Sequence, residues 1–236
     1  MPNSPTTSIA RALRKRLMTA GDAARASAQQ AYMKSSMPYA GVPMSNVRSI
    51  ARDVLGALAL DEADAWADTI RAIWRGAQVR EERYAAIVLA RLPRHRAHRT
   101  PAALPLYEEL IVTGAWWDFV DEIAVHLVGE LLSAHPKPVT KTLTVWSRDD
   151  DLWKRRTAII AQLGFKDATD ADSLFRWIEP SLASKEFFLR KAIGWALREY
   201  SKTAPDVVRR YVAEHADELS PLSRREALKV LERTSR

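Results

Sequence analysis

Residues 115–134 read AWWDFVDEIAVHLVGELLSA, and the spacing of their apolar side chains decides the fold. At about 100° per residue, Trp117, Val120, Ala124, Leu127, Val128, Leu131 and Leu132 fall on one arc, the pattern of a helix lying with one face in a core. Asp121 falls inside that arc, so a carboxylate faces the apolar side. The misplacement recurs at 152–163, where Leu152, Trp153, Ile159, Ile160 and Leu163 form the stripe and Arg156 projects into it. At 186–200 the pattern inverts. Leu189, Ala192, Ile193, Ala196, Leu197 and Tyr200 make the core face, and Trp195 stands apart from them beside Lys191 and Arg198.

Outward from these three segments the chain keeps the helical period. Glycines number only 8, strand-like alternation is nearly absent, and Pro, Asp, Ser and Thr punctuate the apolar stripes. Helices are expected near 8–19, 22–33, 45–59, 61–76, 80–92, 102–112, 115–134, 138–147, 150–163, 170–182, 185–202, 205–215 and 221–234. Pro101, Pro138, Pro205 and Pro221 stand where a first helical turn tolerates proline. Only 34–44 and 93–100 read as longer loops. Helix pairs spanning about 35 to 45 residues predict an all-α, HEAT-like or armadillo-like α-solenoid of antiparallel pairs with a concave basic cleft, one domain over 1–236.

The 236 residues, 47% of them hydrophobic, are enough for a sizeable core. Lys and Arg total 36 against 29 Asp and Glu, giving a net charge of +7 and a pI near 9.8, which favours a polyanionic partner. Cysteine is absent, which excludes disulfides and thiolate chemistry. The 5 histidines lack a metal-binding spacing, and no cofactor or metal is expected. His95 and His98, within RLPRHRAHR at 91–99, read as part of a solvated or phosphate-facing loop. No apolar run of about 18 residues is present to span a membrane, and the start lacks a secretory signal, so a cytoplasmic location is expected. Ala10, Ala12, Leu13, Leu17 and Met18 of the first helix read as a docking face.

Asp121 admits two readings. Taking an ionised carboxylate out of water costs several kcal/mol unless a cation or strong hydrogen bonds offset it. Arg156 is the natural partner, and their ion pair would lock two helices together. Alternatively Asp121 serves a ligand, which Trp117, one helical turn before it, would touch as well. Asp118 lies where it complements the helix dipole. Tryptophan is abundant, and Trp66, Trp74, Trp116, Trp146, Trp153 and Trp177 read as core. Trp195, with Phe188, Lys191 and Arg198 around it, suits a sugar, a base or a phosphate backbone. Lys185, Arg190 and Lys191 would add phosphate contacts or be ordinary solvated charges. Tyr32 and Lys34 place another aromatic and cation at the opening of the first long loop.

Five stretches carry a resemblance to a known family: ARASAQQAYMKSSM (24–37), PLYEELIVTGAWWDFVDEIA (105–124), LWKRRTAIIAQLGFK (152–166), SKEFFLRKAIGWALREYSKTAPDVVRRYV (184–212) and LSPLSRREALKVL (219–231). They resemble the AlkD-type DNA alkylation-repair glycosylases, HEAT-like repeat proteins that excise cationic alkylated purines. The resemblance implies a DNA glycosylase releasing N3-methyladenine, N7-methylguanine or bulkier adducts from duplex DNA. It would leave an abasic site without flipping the base, as a nucleoid-associated monomer with no obligate protein partner. It places the catalytic carboxylate on Asp121, two tryptophans beside it on Trp117 and Trp195, the DNA-contacting arginine on Arg156 and an amino-terminal tyrosine on Tyr32. Phe188, Lys185, Lys191, Arg198 and Lys34 complete the expected DNA-binding set. Where characterised relatives carry a glutamine after the first long loop, this chain reads Val42-Pro43-Met44. The competing expectations are a non-catalytic HEAT-like protein binding damaged or distorted DNA, and a protein–protein scaffold.

Overall fold

The computed structural model describes residues 5–234, and among them every regular element is helical. They group into two compact units, divided between Arg99 and Thr100. Among the described residues no helix is long and apolar enough to cross a membrane.

The first unit holds α1 (Pro5–Thr19), α2 (Ala23–Met33), α3 (Met44–Leu55), α4 (Ala63–Arg75) and α5 (Arg80–Arg91), then a 3-10 segment at Pro93–His98. Its core joins Leu13 and Leu17 of α1 with Val47, Leu55, Trp66, Ile70, Trp74 and Leu89, all essentially buried. The docking face of α1 is narrower than the sequence suggested, because Met18 is 55% exposed and Ala12 also faces solvent. Asp22 caps α2 by accepting from the Arg25 amide at 2.7 Å, and Lys34 ends it in the left-handed region at φ 50°. The long loop that follows is tied down by a carboxylate. Glu81, 1% exposed in the first turn of α5, accepts hydrogen bonds from the amides of Ala40 (2.9 Å), Gly41 (2.8 Å) and Val42 (3.1 Å). Gly41 has φ 81°, and a Cβ there would lie 2.0 Å from the Asp22 carbonyl oxygen, so the loop passes where only glycine fits.

The expected loop at 93–100 is corrected in one respect. His95 is 2% exposed rather than solvated, stacked on His98 at 5.9 Å. His98 in turn lies 5.8 Å from the Trp66 ring, with its Nε2 bonded to the Leu60 carbonyl. Burial, then the neighbouring Arg94, holds the His95 pKa below its ordinary value, which favours the neutral ring.

The second unit contains α6 (Leu104–Gly114), α7 (Trp117–Ile123), α8 (Gly129–Ala134), α9 (Pro136–Trp146), α10 (Leu152–Ile160), α11 (Ala171–Ile178), α12 (Phe187–Tyr200), α13 (Pro205–Glu214), α14 (Pro221–Leu228) and α15 (Leu231–Thr234). Neighbouring helices pack on one another: α9 lies against α8 and α10, α10 against α7 and α12, and α12 against α14. This is the packing of an α-solenoid-like fold. The close approach of α12 and α14 depends on Gly194, where a Cβ would stand 2.6 Å from Glu226 Cβ. The expected single helix at 115–134 is interrupted by a π-helical turn at Ala124–Val128. Phe119, Val120 and Ile123 before it, and Leu127, Val128 and Leu131 within or after it, are all buried.

Candidate functional site

Asp121, Trp117, Arg156, Phe188 and Trp195 all belong to the second unit, carried by α7, α10 and α12. Trp117 is the first residue of α7 and half-buried; Asp121 lies one turn on, just ahead of the π-helical turn. The amide of Ala124 bonds back to the Asp121 carbonyl oxygen there. Asp151 starts α10 by accepting from the amides of Trp153 (2.8 Å) and Lys154 (3.0 Å), which fixes the helix start five residues before Arg156. Lys154 is held between Asp149, at 3.0 Å, and Glu108. These two anchors raise its pKa although its burial acts against them.

Arg156 meets Asp121 fork to fork. Its Nε donates to Oδ1 and its Nη2 to Oδ2, each at 2.7 Å, while Nη1 donates to the Phe188 carbonyl oxygen at 2.6 Å. The Arg156 side chain keeps 5% of its surface and the Asp121 side chain 16%. The Asp121 side chain therefore keeps some surface open to solvent and the Arg156 side chain nearly none. Burial raises the Asp121 pKa above its ordinary value; the Arg156 hydrogen bonds and charge oppose that rise, and Asp118 adds to it. The result is a desolvated anion held in one orientation by a cation that is itself fixed to a third helix.

The other candidates are placed differently from one another. Trp195 is half-buried and packed against the core cluster of Ile193, Ala196 and Leu197, so it stands less apart than its helix pattern suggested. Phe188 is half-buried, with its ring 5.3 Å from Trp116 and 5.1 Å from Trp153. Lys191 and Arg198 both reach Glu226 of α14, at 3.4 Å and 2.5 Å. These cations hold Glu226 below the usual carboxylate range although burial pushes it up. Lys185 is exposed just before α12. In the first unit Tyr32 is 78% exposed, and Lys34 is exposed at the end of α2. Val42 is buried and Pro43 occupies the cap position before α3. Among the described residues no three His, Asp or Glu side chains converge as metal ligands would.

Sequence reasoning missed two partners. The Phe188 carbonyl is a main-chain group, which no side-chain pattern announces. Glu226 lies 28 residues beyond Arg198, on a helix whose own apolar pattern gives no hint of that pairing.

Residues 13–231 match the family model described as DNA alkylation repair enzyme. Among solved structures, a predicted DNA alkylation repair enzyme from Enterococcus faecalis is similar over 89% of this chain and 95% of that chain, at 30% identity and a TM-score of 0.74. No curated protein matches the chain.

Proposed function

The chain belongs to the DNA alkylation repair enzyme family, and from that premise we propose that it is an AlkD-type monofunctional glycosylase. It would release N3- or N7-alkylated purines, bulkier adducts among them, from duplex DNA and leave an abasic site. The observation that carries this reading is Asp121, largely buried and held by Arg156, with 16% of its side-chain surface still open.

A purine alkylated at N3 or N7 is cationic, so it leaves neutral when the glycosidic bond breaks and needs no general acid. One carboxylate suffices for the rest. Positive charge moves onto the deoxyribose, and the desolvated Asp121 stabilises that oxocarbenium-like centre far better than a solvated carboxylate would. Water then adds to C1′, with Asp121 orienting it or taking its proton. Trp117 and Trp195 would pack against the sugar and backbone of the damaged strand. Arg156 would act chiefly through Asp121, since its donors are engaged within the protein. Phosphate contacts would fall to exposed cations such as Lys185 and Lys34, and, where they exchange partners with Glu226, to Lys191 and Arg198. Tyr32 offers an exposed ring for the backbone. In this reading the base is not flipped into a pocket, and the two units act as one domain.

One observation favours a second reading. Both Asp121 oxygens accept from Arg156, as they would in a purely structural ion pair, and a non-catalytic protein binding damaged DNA would keep the same lock. Chromatographic assay of free modified base from methylated duplex DNA separates the two. The wild-type protein is expected to release N3-methyladenine or N7-methylguanine and Asp121→Asn to release none, with duplex binding within a few-fold. Absence of release by both, with duplex binding kept, would establish the binding protein.

A further inference from the structure

The three helices that make the ion pair also bring three aromatic rings together. Trp116 caps α7, Trp153 sits in the first turn of α10, and Phe188 in the first turn of α12. Their rings close a triangle: Trp116 to Trp153 is 6.1 Å, Trp116 to Phe188 5.3 Å and Trp153 to Phe188 5.1 Å. Each helix thus gives one ring to the triangle and one polar group to the fork: Asp121 from α7, Arg156 from α10 and the Phe188 carbonyl from α12. The two meet where the Arg156 guanidinium stands 6.0 Å from the centroid of the Phe188 ring.

We propose that Trp116 and Trp153, through Phe188, are positioning residues that set the Arg156 fork and so the orientation of Asp121; this rests on the glycosylase reading above. The physical reason is directional. A bidentate arginine–carboxylate pair tolerates little displacement, and three helices that contribute one atom group each must be held in register by something other than the pair itself. Aromatic rings in edge and tilted contact resist both sliding and rotation, which an aliphatic filling of equal volume does not. Ring and polar group are five residues apart across the start of α7, three apart on α10 and on the same residue in α12, so a shift of any ring is transmitted to the fork.

The test uses Trp153→Leu, Trp153→Phe and Trp116→Leu in the full chain, with two readouts. Release of modified base is followed against pH, and the titration of the Asp121 carboxyl is followed by carbon NMR, identified by its absence in Asp121→Asn. Trp153→Leu is expected to lower kcat by about ten-fold with KM within about two-fold, the split expected when a group is misoriented rather than binding lost. Its acid limb and the Asp121 titration should both move to higher pH, because a displaced fork no longer offsets burial. Trp153→Phe should restore most of both. If Trp153→Leu does not fold, Trp116→Leu at the half-buried helix cap carries the same comparison. A folded leucine variant whose Asp121 titrates as in wild type would overturn the proposal. If wild type releases no base, the glycosylase reading fails by itself, and the titration still decides whether the rings position the pair.

Discussion

An aspartate shut among apolar neighbours binds its proton more tightly than one in water, and Asp121 keeps its charge by virtue of the Arg156 fork. Because the ionised form is the useful one, base release should fall as pH drops through a value above the ordinary 3.8 of aspartate, and rate profiles against pH will show where. The sign for stability is opposite. A folded-state pKa above the unfolded one favours folding below pH 3.8, and that contribution is lost as pH rises through the folded value. Arg156, nearly buried, cannot lose its partner cheaply. Asp121→Leu alone should therefore destabilise the protein by about 3 kcal/mol in urea unfolding, whereas Asp121→Leu with Arg156→Met should recover most of that loss. Equal stabilities for the single and double variants would show that burial of an unpaired guanidinium is not the cost.

Elements set where these residues meet. The π-helical turn at Ala124–Val128 separates α7, which carries Asp121, from α8, and Val120 before it and Leu131 after it are both buried in the core. In the first unit, the loop before α3 keeps its shape because Glu81 satisfies three consecutive amides. Glu81→Ala leaves those donors without their acceptor in a buried setting, and we expect a loss of about 3 kcal/mol. Hydrogen exchange should accelerate at Ala40, Gly41 and Val42 before it does in α3 or α5. Uniform exchange across the unit would mean that the loop owes its shape to packing instead.

Over the whole molecule the charge of +7 predicts that duplex binding weakens steeply with added salt, as released counterions dominate contacts with phosphates. Binding constants at several salt concentrations will check this, and a flat response would remove the backbone-binding model. The helical period of the chain determined by itself the all-α class, nearly every helix and the inward setting of Asp121 and Arg156, because burial imposes a period that local sequence records; Trp195 it set too far from the core. It also marked Trp66, Trp74, Trp146, Trp153 and Trp177 correctly as core. What the period cannot record is a partner distant in sequence. That Lys191 and Arg198 are drawn onto Glu226, that His95 is buried, and that a main-chain carbonyl of α12 holds Arg156 were decided only by tertiary packing. A helix pattern fixes which face of each helix is inward, whereas the identity of the group met there depends on how three separate helices come together.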